Sequence, residues 1–369
     1  MAGALIGAVS TVEGRRPWRI RTFGPDRNSP ARDALVHGPV EVVVMAVLSA
    51  KHALDAAVEA ARWAPSIHNT QPWTFSISRE EISLRADTDR KLRVGDVSGR
   101  ELLISCGAAL FTMRTAMRCE GFEPEVRTLP DPDRPSLLAT LKPGTEVRPD
   151  ESVKALGGEI KCRRTHRAGF ADVPVPDRLI ERLVHAAMEE DAKLTPVRSP
   201  EAVRIIASLT QAAQGVQAQD QRFSLELIRW AQPPGSSRKD GVPAQGYPRQ
   251  AVRTDPEFPQ RDYSWQHDWG TQTDQRAATS AGVVALLTTP GDSRQEWIDA
   301  GQALQHVLLH AAAYGVSAAF HTQALEMDLL REFLRHELCS DEYPQMIMRL
   351  GVTFDDKDSV RRPLSEVMD

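Results

Sequence analysis

The chain has 369 residues, 41% of them hydrophobic, and a formal net charge of −5 with both signs interspersed along its length. That is enough apolar material for two domains or one large one, with no basic stripe for nucleic acid and no apolar run approaching a membrane span. Cys106, Cys119, Cys162 and Cys339 show no C-x-x-C spacing, so a reduced, cytoplasmic setting is the simplest expectation.

Residues 1–44 read as a disordered extension. Met1 to Val12 is weakly apolar without the pattern of a signal peptide, and Arg15, Arg16, Arg19 and Arg21 lead into Gly, Pro, Asp and Asn. A helical pattern starts at Met45 and runs through Leu54–Trp63. Pro65 stops it, having no amide hydrogen to donate, and Pro72 is expected to force Gln71 into an extended conformation. Between the two prolines lie Ser66, His68, Asn69, Thr70 and Gln71. So polar a turn is expensive to bury unless its groups are satisfied.

Phe75 to Arg85 alternates about Arg79-Glu80-Glu81 as a hairpin does. Leu102, Leu103, Cys106, Ala109, Leu110, Met113 and Met117 recur at helical spacing, which predicts a helix from Gly99 to Gly121. Two strands follow, around Glu125–Leu129 and Leu137–Leu141, and Pro143-Gly144 is expected to close the first half, 45–150. The second half, 151–369, opens on a short helix and then Lys161-Cys162-Arg163-Arg164-Thr165-His166-Arg167, the densest positive cluster in the chain. Leu179–Met188 is amphipathic, and Pro200–Trp230 reads as one long helix. From Gln232 to about Arg276 the composition turns rich in proline and aromatic residues, including Tyr263, Trp265 and Trp269; an irregular insert of that length is usually functional or disordered. A buried strand at Ala281–Thr289, a helix at Gln295–Tyr314 ending on Gly315, a strand or loop at Ser317–Gln323, a helix at Leu325–Leu338 and a strand at Gln345–Phe354 complete the pattern.

The chain repeats itself. Cys106-Gly107-Ala108-Ala109-Leu110 and Ala300-Gly301-Gln302-Ala303-Leu304 lie 194 positions apart (301 minus 107), and the same offset pairs Ile104 with Ile298 and Gly121 with Gly315. Val58-Glu59-Ala60-Ala61 matches Val184-His185-Ala186-Ala187 at an offset of 126, where Pro65, Ser66 and Asn69 correspond to Asp191, Ala192 and Thr195. The second half therefore lacks the polar turn, and the first half lacks an arginine cluster directly before its first helix.

The order Pro65-Ser66-x-x-Asn69-x-Gln71-Pro72-Trp73 resembles the flavin-contacting turn of the nitroreductase family, and Arg163-Arg164-Thr165-His166-Arg167 resembles that family's Arg-Arg-Ser-x-Arg segment. Over roughly Met45–Asp369 the likeness is to the Acg-type FMN-binding, nitroreductase-like proteins, which are fused pseudo-dimers. It implies an α+β fold, internally duplicated, with mostly antiparallel sheets flanked by helices. It also implies non-covalent FMN held by Pro65, Ser66, Asn69 and Gln71 from one half and Arg163, Arg164, Thr165 and Arg167 from the other. Arg361, in Arg361-Arg362-Pro363, is similar to a C-terminal phosphate-contacting segment. One complete site per chain follows, in a monomer acting as an internal dimer.

Guanidinium groups suit a phosphate because they remain charged and offer forked donors. Asn69 suits the pyrimidine edge of a flavin, because its amide both donates and accepts. The activity implied is hydride transfer from NAD(P)H through flavin to a nitroaromatic, quinone or similar acceptor. The alternative is FMN storage beneath the insert acting as a lid. His321 is a candidate proton donor, with a structural histidine as the competing reading. His306 and His310, four apart on one helix, have no third ligand nearby, so no metal is expected.

Overall fold

Two four-stranded antiparallel sheets carry the fold, and their strand orders are the same. The first runs β1-β2-β4-β3, with β1 at Trp73–Ser78, β2 at Glu81–Ala86, β3 at Phe122–Thr128 and β4 at Leu137–Glu146. The second runs β5-β6-β8-β7, with β5 at Lys193–Pro196, β6 at Val283–Thr289, β7 at Val316–Phe320 and β8 at Tyr343–Val352. This is a computed structural model; it describes residues 39–249, 254–264, 266–272, 280–353 and 359–369. The expected extension lies largely outside the described residues, as does Trp265.

Helices occupy matching places in the two halves. Helix α1 (Pro39–Ala61) precedes the first sheet and α4 (Asp177–Met188) the second. Helix α1 begins at Pro39, inside the stretch expected to be extension. Helix α2 (Arg100–Cys119) joins β2 to β3, and α7 (Arg294–Ala313) joins β6 to β7. The order of elements thus reproduces the duplication read from the sequence.

The two copies meet through α2 and α7. A Cβ built on Gly107 would lie 2.1 Å from the Ile298 carbonyl oxygen, and one on Gly301 would lie 2.1 Å from that of Ile104. Both relations carry the offset of 194, so the contact is reciprocal, as at a two-fold interface between identical subunits. Only glycine permits so close a crossing. Helix α2 is buried on nearly every face, its polar Arg100, Glu101, Ser105, Thr112 and Thr115 included. Both helices end at a glycine with positive φ, Gly121 at 90° and Gly315 at 70°, the left-handed stop that glycine adopts without a Cβ penalty.

Local chemistry sets the remaining elements. Arg79 and Glu80, at φ 50° and 64°, make the two-residue turn of the β1–β2 hairpin. Strand β4 continues through Pro143-Gly144 instead of ending there; Pro143 pairs only with Pro124 of β3, beyond the last β2 partner at Leu141, where a missing N–H disrupts no second ladder. The expected single helix at 200–230 is two, α5 (Pro200–Gln219) and α6 (Gln221–Arg229). Asp220 leaves the helical region at ψ 108° and its carboxylate accepts from the Arg222 amide, starting α6 afresh. Helices α3 (Glu151–Glu159) and α8 (Asp328–Leu338) complete the set.

Two segments cross between the halves. Thr165 bridges Ala318 at the β7 edge, and the His166 amide donates to the Ala318 carbonyl at 2.8 Å. The C-terminus returns to the first sheet, where the Phe75 amide donates to Val367 O at 2.7 Å and the Asp369 amide to Phe75 O at 2.8 Å. Each segment delivers arginines to the first-half turn.

Candidate functional site

The turn at 66–71 is held in an unusual backbone shape. His68, Asn69 and Gln71 all have positive φ, 46°, 55° and 50°, a region few side chains favour and one that persists only where surroundings impose it. Gln71 is therefore left-handed, not extended. Its amide donates to Ser66 Oγ at 2.9 Å, and the Ile67 amide donates to Ser105 Oγ at 3.1 Å. Gln71 Nε2 donates to Lys239 O at 2.9 Å while its Oε1 accepts from the Arg362 amide at 2.8 Å. Gln71 supports the turn from behind and lines no cavity.

In front of the turn are two adjoining cavities that share Pro65, Ser66, Thr165 and Arg167 in their walls. The smaller, about 440 Å³ including its mouth, is cationic: Arg164, Arg167 and Arg361 line it with Asn69 and Ser359. The larger, about 870 Å³ including its mouth, has Ile67, Ile104, Leu304, Phe320 and Met346 among its walls, with Glu101, Arg261 and Arg349 as charged residues beyond Arg167.

Among the described residues no acidic side chain pairs with Arg163, Arg164, Arg167 or Arg361, while Arg62 beside them pairs with Glu59 at 2.8 Å. Burial, then Arg163, Arg164, Arg167 and Arg62, push Arg361 well below the usual guanidinium range. Burial, then Arg164 and Arg167, lower Arg163 to about 9. Nε and Nη1 of Arg163 and Nε of Arg361 are buried with no hydrogen-bond partner among the described residues. Arg163 donates only to Trp63 O, at 3.3 Å, and lines neither cavity. Trp63 has Arg62, Arg164 and Arg361 over its ring at 5.8, 5.7 and 5.8 Å, a stacking that offsets part of their repulsion. Orphaned guanidinium donors in a cluster of one sign call for an anion.

Asn69 is committed elsewhere than the sequence suggests. Its Nδ2 donates to Gly241 O at 2.9 Å and Val360 O at 3.1 Å, and its Oδ1 accepts from Arg361 Nη1 at 3.1 Å. It ties turn, insert and C-terminal segment together in the wall of the small, cationic cavity. The insert roofs both cavities, with Val242, Pro243 and Gly246 over the small one and Tyr247, Gln260, Arg261 and Tyr263 over the large one. Its fastenings are buried: Gly241 N to Asn69 O at 3.0 Å, His68 Nδ1 with Tyr263 Oη at 2.9 Å, and Arg261 with Glu326. Burial, then Arg261 and Arg167, hold His68 neutral.

His321 is likewise neutral, lowered by burial and then by Arg349. Its Nε2 accepts from Arg349 Nε at 2.8 Å, which leaves Nδ1 to donate to Pro259 O at 3.2 Å. Both ring nitrogens are occupied, so the structural reading of this histidine holds. His306 and His310 stack on each other at 5.0 Å, and no group of three metal-ligating side chains occurs among the described residues.

The nitroreductase family profile matches residues 160–352. A Mycobacterium tuberculosis protein named "Putative NAD(P)H nitroreductase Rv3131" is 32% identical over 314 residues, 83% of this chain and 88% of that protein. The chain belongs to the nitroreductase family. The same organism's acg protein is 27% identical over 320 residues, covering 85% and 94% of the two chains, and its uncharacterized protein Rv3127 is 28% identical over 319 residues, covering 83% and 89%. Within this family member, sequence reasoning found Pro65, Ser66, Asn69, Thr165, Arg164, Arg167 and Arg361 around the cavities. It missed Glu101 and Arg349, which belong to no motif: Glu101 follows Arg100 at the start of α2, and Arg349 stands in the otherwise apolar middle of β8. The unusual composition of the insert signalled Arg261 and Tyr263 only collectively.

Proposed function

We propose that this protein is an oxidoreductase of nitroreductase type that binds one FMN per chain and passes hydride from NAD(P)H to a nitroaromatic, quinone or similar small-molecule acceptor. The observation that carries the reading is the cluster of Arg164, Arg167 and Arg361, with no carboxylate among the described residues of that cavity wall, beside a larger cavity that shares Pro65, Ser66, Thr165 and Arg167 with it. A phosphate suits the first and a flat ring system the second. Arg164, Arg167, Arg361 and Thr165 would hold the phosphate end, with Arg163 adding positive field from behind; Pro65 and Ser66 would border the ring. Bound flavin would supply two-electron hydride chemistry, and the protein would position it and exclude water. Halves 45–150 and 151–369 each contribute one side, so a single chain suffices as an internal dimer.

The buried fastenings of the insert support a second reading, FMN storage beneath a fixed lid. Mixing the purified chain with NADPH under anaerobic conditions separates the two. Yellow protein with about one FMN per chain that bleaches within seconds is the expected result. Yellow protein that never bleaches would leave storage, and two FMN per chain would overturn the single-site assignment.

A further inference from the structure

Among the described residues lining the larger cavity, Glu101 is the only carboxyl side chain. It sits in the first turn of α2 and is 3% exposed. Its Oε1 accepts from Arg100 Nη2 at 3.3 Å, whereas Oε2 is buried with no partner. An ionised carboxylate leaves so costly an orphan only where something else compensates it. The other carboxyls around it are occupied: Asp96 accepts from the Glu101 and Leu102 amides at 3.1 and 2.9 Å, and Glu326 pairs with Arg261.

We infer that Glu101, a carboxyl group in the wall of this cavity, is a proton donor of the site that delivers its proton to the acceptor reduced there. The inference rests on the oxidoreductase reading above. Two-electron reduction of a quinone or nitro oxygen needs a hydride, which brings both electrons, and one proton. The Glu101 O–H bond breaks, its proton forms the new O–H bond on the acceptor, and the electron pair stays on the carboxylate. That carboxylate then stands near Arg100 and Arg261 and regains a proton from water.

The surroundings make the proton available near neutrality. Burial, and next the Glu326 carboxylate, push Glu101 up to about 8. Arg100, on the same helix, and Arg261, from the insert, oppose that rise, and Asp96, before the helix, adds to it. The other candidates in the cavity fit less well. His68 and His321 are held neutral; both ring nitrogens of His321 are engaged as described above, and His68 Nδ1 is engaged with Tyr263 Oη. Tyr247 Oη is also unpartnered, but burial raises its phenol to about 12, too weak an acid to act at neutral pH.

The test compares wild type and Glu101→Gln as full chains saturated with FMN. Each is reduced with dithionite, freed of excess reductant, and mixed with 1,4-benzoquinone across pH 6–9.5. Wild-type reoxidation should slow tenfold per pH unit above about 8. Glu101→Gln should be about 100-fold slower and lose that break, the scale of a missing general acid, while its FMN affinity stays within threefold of wild type. Infrared titration gives a readout independent of turnover: a carboxylic-acid carbonyl band that disappears near pH 8 in wild type and is absent from Glu101→Gln. A Glu101→Gln protein that binds FMN and retains the wild-type rate and pH break would overturn the donor role alone. Wild type that binds no FMN would overturn the oxidoreductase reading, and the donor role with it.

Discussion

The two halves share a strand order and differ in what joins their first two strands. Two residues connect β1 to β2, whereas residues 197–282, with α5, α6 and the insert, connect β5 to β6. The second half grows over a turn that only the first half possesses. A matching difference appears at the starts of the paired helices. Glu101, Ile104 and Ser105 of α2 border the large cavity. At the offset of 194 their counterparts are Gln295, Ile298 and Asp299, where Gln295 Nε2 donates to Asp299 at 2.9 Å and Gln295 Oε1 accepts from Thr128 at 2.8 Å. Polar side chains close on one another there. The two corners are equivalent by offset and differ in whether their polar side chains border a cavity or bond to one another.

What the halves retain in common can be broken first. Gly107→Ala and Gly301→Ala each place a methyl group against a backbone carbonyl that cannot swing aside, as a side-chain tip would. Each should cost about 3 kcal/mol, the upper part of the usual overpacking range. The two losses should agree within about 0.5 kcal/mol, the scatter seen for equivalent sites. Urea unfolding monitored by tryptophan fluorescence measures both. A large loss in one and none in the other would mean that the helix crossing is not reciprocal.

The asymmetry can be sharpened at Arg167, which lines both cavities and stacks over Tyr263 at 5.9 Å. Arg167→Ala should weaken FMN binding 10- to 100-fold, in keeping with about 1.5–3 kcal/mol for a hydrogen bond to a charged group, and change apoprotein stability little. Asp191→Ala, in the second-half counterpart of the turn, should leave FMN affinity unchanged. Flavin fluorescence titration decides both, and equal weakening by the two substitutions would contradict a single site.

The common features were legible in the sequence because they depend on local rules. Helix stops at Gly121 and Gly315, the Arg79-Glu80 hairpin turn and the apolar spacing of α2 each follow from nearby residues. The reciprocal glycines were visible as a repeat, although their reason, a backbone approach of two helices, was not. The site was half legible. Motif order marked the turn and the arginine segment as two sides of one place. It did not tell Arg163, turned toward Trp63 O, from Arg164 and Arg167 at the cavity wall, nor did it show Asn69 as a tie between three segments. Those distinctions arise from packing between residues roughly 100 to 300 positions apart, and Glu101 owes its character to burial that no local pattern encodes.

The smallest expected effect concerns a helix that only the second half has. Helix α8 lies between β7 and β8, whereas β3 and β4 are joined by a turn alone. Asp292 fastens it, accepting from Arg331 Nη1 at 2.7 Å and Nη2 at 2.6 Å, and from Trp297 Nε1 at 2.7 Å; at the offset of 194 the first half has Ser98. Burial alone would raise Asp292, but hydrogen bonds from Arg331, Trp297 and Gln345 outweigh it and hold the carboxyl at about 2. A carboxyl lowered on folding stabilises the protein above its unfolded value of 3.8 and loses that contribution as pH falls through about 2. Solvent screens this partly exposed group, so the contribution is about 1 kcal/mol. Wild type should therefore lose more stability than Asp292→Asn between pH 5 and pH 2.5 in urea unfolding. Parallel pH profiles for the two proteins would mean that α8 is held by packing and not by this carboxylate.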